Sequence, residues 1–369
     1  MFESTKNYID GLVFDKKIPY IDVCVIKNGL PVFRYLSGDG REELTGKENL
    51  LIYSATKPLT VVCVARLIEE GKLFLDDKVS KYLPEYNDVF LLDEKGNKVA
   101  PKTDITILHL LTMTAGLTYD YDSYKVREEV EKRSGDMSTI EVAKHFTKTP
   151  LAFSPGEDRK YSLCHDVLGA VIEVVTGKKL SEYMEEIIFK PLGMKNTSFS
   201  EKGIELANQY ECSLDGEVNK VESQLWFKFS PSYESGGAGL ISTVEDYSLF
   251  ATALSEGGEV NGYRLLKKES IEMIKKERLK AFSVESKFTC VQGSDYGYGL
   301  GVRTRTKKTE WGLPNGEFGW DGAGGTYLLV DTENKINVVI GMSLLNWPVI
   351  FKGEHLYLVE RIYKQLVKV

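Results

Sequence analysis

Residues 50–73 read LLIYSATKPLTVVCVARLIEEGKL. Pro58 suits the first turn of a helix, where its missing N–H is not needed, and Gly71 suits a C-terminal cap. The residues between are apolar on nearly every side, which predicts a buried helix. At its head stands Ser54-Ala55-Thr56-Lys57. Serine is a weak nucleophile unless a nearby base takes its proton. Lysine can be that base when burial or neighbouring positive charge lowers its pKa. A spacing of three puts Lys57 on the same helical face as Ser54. A helix N-terminus favours a developing anion and disfavours an ammonium. A capping serine followed by a surface lysine would give the same four letters, so the tetrad needs support from the rest of the chain.

On the N-terminal side, IDVCVIK and PVFRYL flank Asn28-Gly29, which predicts a hairpin over residues 20–36. On the C-terminal side, residues 75–235 read as mainly helical and loop-rich. Thr106 is placed to cap a helix through ILHLLTM. Asp166 is placed to open VLGAVIEVVTG, closed by Gly177, and LSEYMEEIIFKPLGM stops at Pro191 and Gly193. Ser242-x-x-Glu245 has the form of a capping box before DYSLFATAL. Strand signals then return. YGYGLGVRTRT alternates with period two, TYLLVD and INVVIGMSLL flank the turn TENK, and HLYLVERIYKQLVK is a final amphipathic helix. Strands at both ends with helices between them predict an α+β protein: an antiparallel sheet flanked by helices, plus an all-helical lobe. The expectation is one catalytic domain over residues 1–369, with an α/β lobe of roughly 1–74 and 236–369 and a helical lobe of roughly 75–235.

Composition narrows the function. The chain has 369 residues and a net charge of -7, with no basic face in sight for phosphate, so no nucleic-acid partner is expected. The basic run Arg303–Lys308 (RTRTKK) reads as the solvated face of a strand or hairpin. No segment approaches the apolar length of a membrane span, and MFESTKNYIDGLVF lacks the pattern of a signal peptide, so a cytoplasmic protein without membrane partners is expected. Cys24, Cys63, Cys164, Cys212 and Cys290 are odd in number and widely spaced, as expected of reduced, packed thiols. His109, His145, His165 and His355 show no metal-ligand spacing and read as structural, so no metal or other cofactor is expected. GDGREELTGKE is not a phosphate loop: its glycine spacing is wrong, and Glu48 stands where Ser or Thr is required.

Two further segments bear on Ser54. Pro155-Gly156-Glu157 leads to Arg159-Lys160-Tyr161-Ser162, and a tyrosine beside cations can shuttle protons. A packing tyrosine at the start of the next helix is the plainer interpretation. Gly319-Trp320-Asp321-Gly322-Ala323-Gly324-Gly325-Thr326 leads into a strand, and its glycines would let backbone approach a ligand. A backbone N–H there could form an oxyanion hole with that of Ser54. An ordinary glycine-rich turn would look the same.

Taken in chain order, these segments resemble one superfamily: the serine β-lactamases of class C type, the DD-peptidases, and the related family VIII esterases and transesterases. SATK at 54–57 is similar to the first motif and PGEDRKYS to the approach to the second, with Tyr161 in the tyrosine position. ITILHLLTMTAGL (105–117), GGAGLISTVEDYSLFATAL (236–254), YGYGLGV and GWDGAGGTYLLVD complete six segments in the family's order. The resemblance implies that Ser54 is acylated, that Lys57 and Tyr161 pass its proton to the leaving group, and that the backbone N–H groups of Ser54 and Ala323 form the oxyanion hole. Water, or another alcohol or amine, would then release the acyl group.

Two departures shape the expected substrate, with Trp320, Gly322 and Leu163 as the pocket residues. Leu163 stands where class C β-lactamases end the second motif in asparagine, which removes an amide that orients a β-lactam side chain. Trp320 stands where the third motif opens with lysine or histidine, replacing a carboxylate-holding cation by an apolar ring. Both point to a small-molecule acyl ester. A β-lactamase or D-amino-acid peptidase would need its carboxylate anchor elsewhere, with Arg303 or Arg305 as candidates. A non-turnover acyl-binding or sensor relative is the third reading. Tyr119, Tyr121, Tyr233 and Trp226 are candidates for choosing the acyl group or for plain packing.

Overall fold

The computed structural model describes residues 2–223, 228–279, 295–346 and 353–367; Trp226 and Cys290 lie outside them. Strands Tyr20–Lys27 and Leu30–Gly38 form the foreseen hairpin. Asn28 and Gly29 turn the chain with φ of 52° and 72°, both in the left-handed region a tight two-residue hairpin needs. On its other edge, Tyr20–Lys27 pairs antiparallel with Ile336–Gly341, Cys24 opposite Val339. Strands Tyr327–Asp331, Phe318–Gly319, Arg303–Arg305 and Tyr296–Tyr298 follow in turn, giving a seven-stranded antiparallel sheet. The two ends of the chain thus meet in the sheet centre.

Both faces of that sheet are covered, which explains why its central strands are buried along nearly their whole length and mostly apolar, with Asp22, Asp331 and Asn337 as polar exceptions. Ile21, Val23, Val25, Val338 and Ile340 point to one face. They pack with Ile9, Leu12 and Val13 of helix Glu3–Phe14 and with Leu358, Val359 and Ile362 of helix Glu354–Leu366. Cys24, Ile26, Leu328, Val330 and Val339 point the other way, toward Val244, Tyr247 and Phe250 of helix Val244–Ser255. That second core runs on without a break through helices Lys57–Glu69, Ile107–Leu111, Cys164–Thr176 and Leu180–Met184.

Helix Lys57–Glu69 is as buried as its composition demands, with Lys57–Ala65 and Leu67 all buried. Thr106 caps its helix reciprocally: its hydroxyl accepts the His109 N–H, and His109 Nδ1 accepts the Thr106 N–H. Gly177 ends helix Cys164–Thr176 at φ 68°, where a side chain would be strained. Cys24, Cys63, Cys164 and Cys212 are buried free thiols. Among the described residues, no helix is long and apolar enough to cross a membrane.

Several local expectations need correction. The Arg303–Lys308 run is not a solvated face: Arg303, Thr304 and Arg305 are buried, and exposure begins only beyond them. Arg303 meets Glu317 and Asp321 and Arg305 meets Asp295, all on neighbouring segments that local charge pattern cannot reveal. YGYGLGVRTRT is not one strand but two, folded back through Gly299–Val302. Helix Val244–Ser255 is capped by Thr243, whose hydroxyl accepts the Asp246 N–H, one residue later than the Ser242–Glu245 pair implied. Helix Cys164–Thr176 starts before Asp166, whose side chain turns inward. Residues 75–235 also carry two small ladders, Leu91–Leu92 with Lys98–Val99 and Gln209–Cys212 with Val218–Val221. Helix Glu3–Phe14 had no sequence-based forecast.

Candidate active site

The segment before Ser54 is held as a short strand. Leu50 and Leu51 pair with Ser242 and Ile241, and the Ile52 N–H reaches Leu240 O at 3.1 Å. Tyr53 then takes a φ of 47°, an unusual conformation for a bulky residue and one that marks functional sites. It turns the chain sharply into the 3-10 turn Tyr53–Thr56, so that partly exposed Ser54 heads the buried helix.

Lys57 is fully buried. Its Nζ lies 3.1 Å from Ser54 Oγ, 3.1 Å from Tyr119 Oη and 2.7 Å from Gly237 O. It also stands 4.6 Å from the centroid of the Tyr161 ring, within cation–π range. Tyr161 Oη in turn accepts the Trp320 Nε1–H at 3.1 Å. The Ser54–Lys57 pair and the distant Tyr161 and Trp320 are thereby joined in one cluster.

Two members were not assigned these places from sequence. Tyr119, a candidate acyl-pocket residue, is instead a hydrogen-bonding neighbour of Lys57. Burial pushes its phenol well above the ordinary range, with Tyr161 and Asp166 adding to the effect, so it stays protonated at neutral pH. The second is the Gly237 carbonyl. Segment 236–239 runs so close to helix Cys164–Thr176 that a Cβ at Gly237 would lie 2.5 Å from Asp166 Oδ2. At neighbouring Gly236 a Cβ would lie 2.5 Å from the His165 backbone carbonyl oxygen, so the glycine pair was the one available signal. Behind it, Asp166 accepts hydrogen bonds from Tyr233 Oη, Ser235 Oγ and the Gly237 N–H. Burial raises the Asp166 carboxyl, opposed by those hydrogen bonds and, whenever Lys57 is protonated, by its charge. Burial, aided by Lys57, holds His165 uncharged.

The remaining predicted residues divide. The Trp320 ring lies between Tyr161 and Tyr298, with centroids 5.6 and 5.3 Å away. Gly322 presses against the segment that leads to Ser54: a Cβ there would lie 2.3 Å from Ile52 O. Ala323 is exposed at the tip of the same turn. Leu163 is 1% exposed and belongs to the continuous apolar core. Tyr233 serves Asp166, and Tyr121 packs between Tyr119 and Phe229. Arg303 and Arg305, the alternative carboxylate anchors, are buried and engaged elsewhere: Arg303 with Asp321 and Leu328 O, Arg305 with Lys307 O and Asp295. Among the described residues, no three His, Cys, Asp or Glu side chains gather as a metal site would require.

A family model described as Beta-lactamase matches residues 5–357. The chain belongs to the beta-lactamase family. It is 31% identical over 223 residues to esterase EstB of Burkholderia gladioli, a match covering 52% of this chain and 53% of that one. It is 29% identical over 314 residues to the acyltransferase calJ of Penicillium decumbens, covering 78% and 73%. The solved structure of EstCE1, a hydrolase with promiscuous acyltransferase activity, matches with a TM-score of 0.75 at 23% identity, covering 98% of this chain and 97% of that one. The antiparallel sheet with flanking helices is therefore the beta-lactamase family's fold, as the six sequence segments implied.

Proposed function

We propose that this beta-lactamase family member is a serine ester hydrolase or acyl transferase acting on small, uncharged acyl esters. The observation that carries the reading is the 3.1 Å approach of Lys57 Nζ to Ser54 Oγ, beside an indole and not a cation at the third motif. Ser54 Oγ attacks the ester carbonyl while neutral Lys57 takes its proton. The backbone N–H groups of Ser54 and Ala323 receive the oxyanion. The C–O bond to the alcohol breaks, and Tyr161 delivers a proton from Lys57 to the departing alkoxide. Water or a second alcohol then attacks the acyl carbon and gives its proton to the Tyr161–Lys57 pair, which passes it to Ser54 Oγ as the acyl C–Oγ bond breaks and Ser54 leaves as its hydroxyl.

The indole of Trp320 at the third motif supports an uncharged substrate. A peptide or β-lactam carboxylate needs a cation, and the two candidate anchors, Arg303 and Arg305, are both committed to internal partners. The names of EstB and calJ support ester and acyl-transfer chemistry. The test compares a short-chain nitrophenyl ester with a chromogenic cephalosporin, using the parent and Ser54→Ala. Ester turnover that disappears in Ser54→Ala, with no cephalosporin turnover, is the expected result. A preference for the cephalosporin refutes the assignment.

A further inference from the structure

Arg303 is the largest fully buried side chain in the protein's described residues, and it is charged. It projects from strand Arg303–Arg305 beneath the turn that follows strand Phe318–Gly319. Nη1 donates to Asp321 Oδ1 at 2.6 Å, and Nη2 donates to Leu328 O at 2.7 Å. Glu317 Oε1 lies 3.5 Å from Nη2, and the guanidinium carbon is 4.3 Å from the Tyr327 ring centroid. One rigid fork thus grips the chain where it enters the turn, at Asp321, and where it leaves, at Leu328. Between these points the turn is closed by Gly322 N–H to Thr326 O at 2.7 Å and Gly325 N–H to Gly322 O at 3.0 Å. The same turn carries Trp320 at its base and exposed Ala323 at its tip, and it abuts Ile52 two residues before Ser54.

Buried charges are a poor way to gain stability, because desolvation offsets most of the attraction and apolar replacements often do as well. Their geometric precision is another matter: a planar, bidentate guanidinium fixes distance and direction together. We infer that Arg303 and Asp321 are paired positioning residues, which hold the Trp320–Thr326 turn in the register that acyl transfer at Ser54 requires. This rests on the ester-hydrolase reading. Arg303 touches no substrate, since none of its surface is exposed. It acts through the turn, so its loss should lower turnover and leave substrate binding nearly intact.

The experiment measures kcat and KM for a nitrophenyl ester in the full chain carrying Asp321→Asn, Arg303→Lys or both, with Ser54→Ala as control. Asp321→Asn keeps the shape and removes the charge; Arg303→Lys keeps the charge and removes the fork. Displacing one oxyanion donor is the relevant scale, so kcat should fall about 10²–10³-fold with KM held within about threefold. The double variant should cost no more than the worse single, because the two residues act as one unit. Native thermal unfolding of Asp321→Asn confirms that the loss is not one of folding. A folded Asp321→Asn with kcat within about twofold of the parent overturns the inference. So does a loss confined to KM, which would make the pair a substrate contact. Persistent turnover in Ser54→Ala would instead refute the underlying reading, whatever the Arg303 variants do.

Discussion

Lys57 can act as a base only as a neutral amine with its lone pair turned to Ser54 Oγ. Its other neighbours decide whether that is feasible. The Gly237 carbonyl can only accept, so it takes an N–H of the amine, whereas the Tyr119 phenol can donate or accept. Burial keeps Tyr119 protonated, so it places a hydrogen-bonding group beside Lys57 without a negative charge that would favour the ammonium. On this account Lys57→Met, which preserves length and burial, removes the base and little else. Its acylation rate should fall by about 10²–10⁴-fold while far-ultraviolet circular dichroism stays native. Rapid-quench measurement of the acylated fraction checks this; acylation at near the parent rate would remove Lys57 from the mechanism. SATK was readable as the source of Ser54 and Lys57 because their contact is local, one helical turn. Tyr119 and Gly237 O were not, since they arrive from 62 and 180 residues away and no periodicity encodes the meeting.

Among the elements, helix Cys164–Thr176 links the site to the core. Its first turn supplies Asp166, behind Lys57, and its last supplies Glu173. Glu173 is raised to about 7 by burial, with the like charge of Glu234 adding to it against the hydrogen bond from the Leu180 N–H. A carboxyl raised in the folded state binds protons there more readily than in the unfolded chain. Its contribution to stability is thus lost as pH rises from the ordinary value of 4.5 through about 7. Glu173→Gln keeps an oxygen for the Leu180 N–H and abolishes the charge. The melting temperature of this variant should match or trail the parent at pH 5 and gain on it steadily by pH 8. A difference that stays constant across that range contradicts the shifted titration. Helices of this kind were legible wherever caps and apolar runs agreed, as at Thr106 and Gly177. The capping residue before Val244 slipped by one, because Ser242, Thr243, Glu245 and Asp246 offer two overlapping caps and only backbone pairing with Leu50 chooses between them.

At the scale of the molecule, sequence pattern was a sound guide to strands and helices but a poor one to buried charge. Alternation and turn chemistry located the hairpins at Asn28-Gly29 and TENK, and the strands at the two chain ends implied a shared sheet. The Arg303 run looked solvated because its acidic partners, Asp321, Glu317 and Asp295, are close only after folding. Helix Glu3–Phe14 went unread for a related reason: Thr5, Ile9, Leu12 and Val13 form a weak stripe that becomes an interface only against the sheet and helix Glu354–Leu366. The candidate site itself is a product of this long-range assembly. Three segments, at 54–57, 161 and 320–323, are drawn together by a sheet joining the chain ends and by the core that continues beneath it. The central claim is that this assembly makes Ser54 a nucleophile. The most direct test is to inactivate the protein with a nitrophenyl phosphonate ester and locate the adduct by peptide mass spectrometry. One phosphonyl group on Ser54, absent in Ser54→Ala and formed far more slowly in Lys57→Met, is the predicted result. Labelling of another residue with loss of activity, or full esterase activity in Ser54→Ala, would contradict it.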